Sequence, residues 1–214
     1  MAIRTSSGIL AAVTSPVDAV VFDIGGVLLD WQPSRVYAEL IPDPDELAWF
    51  LANVCTTEWN LSLDAGRDFE EACTTLAAEH PDQAERIHAW KRQDEMIAGE
   101  LAEVVALVDR LAERGVPRYL LTNMPADVFA ARVERYPVLQ RFHGAVVSGE
   151  EGVLKPSAEI FHLVRDRFGL DPAATLFVDD SAVNVEGARA VGFRAHRFVD
   201  GAGLEAELRA LDLL

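Results

Sequence analysis

The chain has 214 residues, half of them hydrophobic and a quarter charged, enough for one substantial core or a core with a smaller insert. Its formal charge of −16, from 35 acidic and 19 basic residues, would repel phosphate backbones and argues against nucleic acid as a partner. No apolar run approaches the roughly 20 residues that span a bilayer, and the stretch around Arg4 and 8–13 is too weak for a secretory signal, so neither a membrane partner nor export is expected. Residues 1–16 read as a loosely ordered leader. Cys55 and Cys73 lack metal-ligand spacing and read as reduced thiols of a cytoplasmic protein.

The first element is an apolar run, Val20-Val21-Phe22, closed by Asp23 and followed by Ile24-Gly25-Gly26. This pattern predicts a buried strand over 19–23 that ends in a carboxylate at a glycine turn. Residues 31–98 contain no convincing strand. They read as helices over 34–40, 45–55, 67–79 and 82–96, with TTEWNLSLDAGR (56–67) as a loop. Beyond them, strand patterns at 118–122, 144–148, 175–179 and 194–198 alternate with helical patterns at 100–115, 126–135, 157–169, 182–191 and 203–212. Pro125, Gly115, Gly169 and Gly192 stand where helices would start or stop. The last strand is mixed in polarity, as an edge strand would be.

Such alternation predicts an α/β fold, a doubly wound parallel sheet of Rossmann-like type, with a small all-helical cap inserted after the first strand. The core would comprise 17–30 and 99–214, and the cap 31–98. In sheets of this kind the site lies beyond the C-terminal strand ends. Those ends carry Asp23, Thr122-Asn123, Ser148 and Asp179-Asp180, and Lys155 lies just before a helix. Transfer of a phosphoryl group to a carboxylate needs this set. It requires an ionised nucleophile, donors for the phosphoryl oxygens, a lysine to offset charge, and acidic oxygens suited to Mg²⁺.

In VVFDIGGVLLD, YLLTNM, EGVLKPS and LFVDDSAVN, taken in this order, the chain resembles the haloacid dehalogenase-like hydrolases over residues 18–200. The resemblance implies Asp23 as nucleophile and metal ligand, and the Gly25 backbone carbonyl as a second ligand. Asp180 would be a further direct ligand, with Asp179 and Asn184 in support. Thr122 and the Asn123 N–H would bind phosphate, and Lys155 would link phosphate to nucleophile. The implied cofactor is Mg²⁺ and the implied substrate a small phosphorylated metabolite.

One position departs from the family's phosphatases, most of which carry a second aspartate, the general acid/base, two residues after the nucleophile. Here that residue is Gly25. A subgroup that includes a bacterial sugar-1-phosphate phosphatase has glycine there too. Asp30 is a nearby candidate acid. The glycine keeps two alternatives open, a metal-independent 2-haloacid dehalogenase and a catalytically weakened binding protein. Of the cap tryptophans, Trp31, Trp49 and Trp90 read as packing. Trp59, Asp64 and Arg67 fall in the expected loop and could reach a substrate, although solvation is the plainer reading of the two charged residues. The C-terminal Leu208, Leu211, Leu213 and Leu214 could pack on the core or in a homo-oligomer.

Overall fold

The computed structural model describes residues 16–214, so the expected leader lies outside the described residues except for Pro16. Strands β1 (Ala19–Phe22) and β2 (Leu29–Trp31) flank the glycine turn. Helices α1 (Ser34–Leu40), α2 (Pro44–Asn53), α3 (Thr57–Asp64), α4 (Phe69–Glu79) and α5 (Ala84–His88) follow, and then β3 (Ile97–Glu100). The alternating half comprises α6 (Ala102–Glu113), β4 (Arg118–Thr122), α7 (Ala126–Arg135), β5 (Ala145–Val147), α8 (Ser148–Glu151) and α9 (Ala158–Phe168). It ends with β6 (Thr175–Asp179), α10 (Ala182–Ala190), β7 (Arg194–Arg197) and α11 (Gly201–Ala210).

Five strands form one parallel sheet in the order β5-β4-β1-β6-β7. The doubly wound expectation is met, and β7 is an edge strand as its mixed composition suggested. Successive side chains of a strand face opposite ways. Val20 and Phe22 therefore join one core with Leu120, Val178 and the α6 residues Val104, Leu107, Val108 and Leu111. Val21 joins a second core with Leu121, Val146, Phe177 and the α9 residues Ile160, Phe161 and Val164. Burial on both faces is why these strands are continuous apolar runs rather than alternating ones. Leu208 and Leu213 are buried in the first core, and Leu211 and Leu214 pack against it.

Helices α1–α5 gather a separate cluster around Tyr37, Phe50, Trp59, Cys73 and Trp90. Both cysteines are free and buried there. Burial pushes the Cys55 thiol up to about 12 and the Cys73 thiol up to about 11, so neither is a nucleophile at neutral pH.

Three local expectations are corrected. Residues 29–31 and 97–100 pair as a two-stranded antiparallel ribbon, with Leu29 opposite Glu100 and Trp31 opposite Ile97. Strands of three and four residues are too short to leave a periodicity, and their pairing is made across about 70 intervening residues. The expected loop 56–67 is mostly α3, capped by Thr56, whose hydroxyl accepts from the Trp59 amide. Trp59 is thereby buried in the helical cluster, edge-on to Trp90 with ring centroids 5.4 Å apart, and is not a substrate platform. Finally, 82–96 is not one helix. It breaks into a 3₁₀ turn at Pro81–Gln83, α5, and another 3₁₀ turn at Ala89–Arg92, which carries Trp90 into the same cluster.

Candidate active site

The glycine turn and the ends of β1, β4 and β6 meet in a cavity of about 500 Å³, which Ser148 at the end of β5 does not line. Asp23 follows directly on β1 and is almost buried. Its Oδ1 accepts from the Ile24 amide at 2.7 Å and lies 2.8 Å from Lys155 Nζ. The Oδ2 atom accepts no hydrogen bond from the described residues. Lys155 is 2 % exposed. Its ammonium also meets Asp179 Oδ2 at 2.7 Å and donates to the Leu121 carbonyl at 3.1 Å. An ammonium has three protons to donate, so these acceptors use all of them.

The electrostatics follow from that burial. Loss of solvent, then the nearby Asp179, push the Asp23 carboxyl up to about 7 against the pull of Lys155. Burial works against the Lys155 ammonium too, but Asp23 and Asp179 outweigh it and hold its pKa above the usual lysine value. The lysine therefore stays charged, and it keeps Asp23 within reach of ionisation at neutral pH.

Lys155 is held by Asn123. The Asn123 amide donates to the Lys155 carbonyl at 3.0 Å, and its Oδ1 accepts from the Lys155 N–H at 2.9 Å. This reciprocal pair ties the end of β4 to the loop before α9. The Thr122 side chain closes β4 and lines the cavity.

Asp179 ends β6 and is fully buried. Its oxygens are occupied by Lys155, by the Ser181 amide at 2.8 Å and by Asn184 Nδ2 at 3.1 Å. Asp180 is the more open of the pair, and burial followed by the charge of Asp179 raises its pKa. One carboxylate oxygen from each of Asp23, Asp179 and Asp180 lies within 4.8 Å of the others. This hard-oxygen set suits Mg²⁺. Because Asp179 is saturated, Asp23 and Asp180 are the carboxylates with capacity to spare. The Gly25 carbonyl, which accepts no hydrogen bond from the described residues, adds a third oxygen. Gly26 shows why the turn needs glycine. Its φ is +72°, and a Cβ there would stand 2.4 Å from Asp180 Oδ2, displacing that carboxylate.

The cavity is completed from α3. Thr57, Asn60, Leu61 and Asp64 share one face of this helix and line the cavity, while Trp59 and Leu63 lie in the helical cluster. Asp64 is 8 % exposed. Burial, then the charge of Asp23, push its carboxyl up to about 7, against the pull of Lys155. Arg67 lines a neighbouring recess of about 700 Å³ instead. Asp30 is not in the cavity: Arg35 holds its Oδ2 at 2.6 Å and Gln32 donates to its Oδ1, so it is no acid for this site. Arg132 and Gln93 also line the cavity, and neither was singled out from the sequence. Arg132 sits in an ordinary amphipathic helix, and no motif distinguishes it.

A family model for haloacid dehalogenase-like hydrolases matches residues 17–192. The chain belongs to that family and is a hydrolase. It is 30% identical over 194 residues to the sesquiterpene phosphatase astK of Aspergillus oryzae, covering 90% of this chain and 95% of that one. It is 25% identical over 201 residues to a phosphoglycolate phosphatase of Escherichia coli O157:H7, covering 82% of this chain and 79% of that one. A predicted HAD-like family hydrolase from Porphyromonas gingivalis superposes with a TM-score of 0.70 at 23% identity, over 92% of this chain and 98% of that one. That last likeness is one of fold.

Proposed function

We propose that the protein is a Mg²⁺-dependent phosphatase that transfers the phosphoryl group of a small phosphate monoester to Asp23 and then hydrolyses the aspartyl-phosphate. The observation that carries this reading is the Oδ2 of Asp23, which accepts no hydrogen bond from the described residues, in a cavity that also holds Thr122, Lys155 and Asp180. Asp23, Asp180 and the Gly25 carbonyl would hold Mg²⁺, with Asp179 and Asn184 in support, and the bound ion would offset the repulsion between nucleophile and phosphate.

Lys155 lowers the cost of ionising Asp23 and fixes its Oδ1, which leaves Oδ2 as the attacking atom. The Thr122 hydroxyl and the Asn123 N–H would hold phosphoryl oxygens. A bond from Lys155 to phosphate would have to replace one of its three present bonds, so its principal role is to hold the two carboxylates. Residues 31–98 act as a cap whose α3 face excludes bulk water from the reaction. Leu29, Trp31, Leu61, Ile97, Met124 and Val128 line the same cavity and would receive an apolar substrate body. The likeness to a sesquiterpene phosphatase is in keeping with that lining.

Treatment with EDTA is expected to lower phosphate release from p-nitrophenyl phosphate about 10²-fold or more, a loss of several kcal/mol of charge stabilisation, and Mg²⁺ should restore it. Halide release from 2-chloropropionate that persists in EDTA, with no phosphatase activity, would replace this reading with a dehalogenase. Inertness towards both substrates, with inorganic phosphate still bound, would make the protein a binding module.

A further inference from the structure

Asp64 of α3 is the buried carboxylate that the chemistry above leaves without a task. Its Oδ2 accepts from Asn60 Nδ2 at 3.0 Å, and Asn60 Oδ1 in turn accepts from Trp90 Nε1 at 3.1 Å. The main-chain carbonyl of Asp64 accepts from Ser148 Oγ at 2.6 Å, which fastens this end of α3 to the start of α8. Asn60 thus holds the carboxyl group, and Ser148 holds the main chain that carries it. Among the described residues it has no basic side chain as an ion-pair partner, unlike Asp23 and Asp179. A second observation concerns Gly25, which lines the same cavity. A Cβ built on Gly25 meets no atom within 4 Å, so the turn leaves open space two residues after Asp23.

We propose that Asp64 is the general acid of the reaction, supplied from α3 to the cavity in which Gly25 offers no side chain. In the first half-reaction Asp23 Oδ2 bonds to phosphorus, the bond from phosphorus to the ester oxygen breaks, and the Asp64 proton passes to that oxygen. In the second, water attacks phosphorus, its proton returns to Asp64, and the bond to Asp23 breaks. Asn60 is a positioning residue. The need for this proton grows with the basicity of the leaving group.

This rests on the phosphatase reading, and single-turnover cleavage of ethyl phosphate and p-nitrophenyl phosphate keeps the two apart. Asp64→Asn should slow alcohol release from ethyl phosphate about 10²–10³-fold and phenol release less than tenfold. Adding Gly25→Asp to Asp64→Asn should recover at least about tenfold on ethyl phosphate. That substitution fits because Gly25 is not among the glycines of positive φ. Equal losses on both esters, or no loss on either, overturn the role of Asp64. A wild type that cleaves neither ester overturns the phosphatase reading itself.

Arg132 carries a second, independent inference. It is 3 % exposed, its Nε has no hydrogen-bond partner among the described residues, and Asp94, its ion-pair partner, stands 3.9 Å from Nη2, too far for a hydrogen bond. Asp94 is itself paired with Arg135 at 3.0 Å. A buried guanidinium with only this one distant ion pair is costly unless a closer anion joins it. We infer that Arg132 is a subsite for a second oxyanion on the substrate, beyond the phosphate held at Asp23. Calorimetry on Asp23→Asn protein should find 2-phosphoglycolate bound about 10–100-fold more tightly than ethyl phosphate, and Arg132→Gln should bring that ratio near one. An unchanged ratio in Arg132→Gln, or no preference at the outset, overturns the subsite. If neither ester binds, the phosphate reading fails first.

Discussion

Replacing Asp23 by asparagine is expected to abolish turnover, by about 10⁴-fold or more, without loosening the fold. The chemical half of this expectation is direct, since an amide cannot accept a phosphoryl group. The structural half follows from the hydrogen bonds. Asparagine keeps an oxygen for the Ile24 amide and Lys155, and its NH₂ takes the place of Oδ2, the atom without a partner. The sign of the stability change comes from proton linkage. The folded pKa of Asp23, about 7, lies above the ordinary aspartate value of 3.8, so its contribution is fully present below about 4 and is lost as pH rises through about 7. At pH 8 in EDTA the ionised carboxylate therefore costs stability that asparagine does not. Urea denaturation under those conditions should give a midpoint for Asp23→Asn equal to or above that of the wild type. A variant that retains a tenth of the activity, or that unfolds well below the wild type, contradicts the assignment.

The second large effect is expected at Lys155. Its ammonium lies between two carboxylates that are themselves almost out of water. Lys155→Met leaves Asp23 and Asp179 facing each other with no cation. Removing one partner of a buried ion pair costs about 3–5 kcal/mol. Part of that is relieved by protonating Asp23, whose pKa must rise further above about 7 once its counter-ion is gone. A protonated carboxyl is no nucleophile, so the stabilising response is also the inactivating one. Turnover at pH 7 should fall about 10³-fold or more, with a matching drop in the urea midpoint. Should the variant fail to fold, Lys155→Arg offers the same charge on a planar group that cannot reproduce the three-way contact, and it should fold with low activity. Activity in either variant within tenfold of wild type would mean that Asp23 does not depend on Lys155.

The chain carries its sheet openly. Val20-Val21-Phe22 and Leu176-Phe177-Val178 are apolar without alternation because two cores cover them, and that burial leaves its mark on composition. The glycine turn, Thr122 and the Asp179-Asp180 pair were legible for a related reason. They sit at strand ends, and the strands were legible. The β2–β3 ribbon was not, because its few residues have no local pattern and gain their meaning only from each other. Helix α3 is hidden in the sequence because TTEWNLSLDAGR is rich in Thr, Asn, Ser and Asp, residues that favour caps and turns. Its cavity face is polar, so a search for apolar periodicity passes over it.

Sequence alone determined the order of the elements, the place of Asp23 at the end of the first strand, and the gap left by Gly25. All three are properties of short runs, which local chemistry specifies. Tertiary structure decided which carboxylates share the cavity with that gap. It set Asp30 against Arg35, away from the site, and brought Asp64 from 41 residues beyond Asp23 into the same cavity. It also gave the three protons of Lys155 to Asp23, Asp179 and Leu121 rather than leaving them free for phosphate. Which charges face one another, and how much water they keep, depends on how distant segments pack. These two quantities set the pKa values and hence the chemistry.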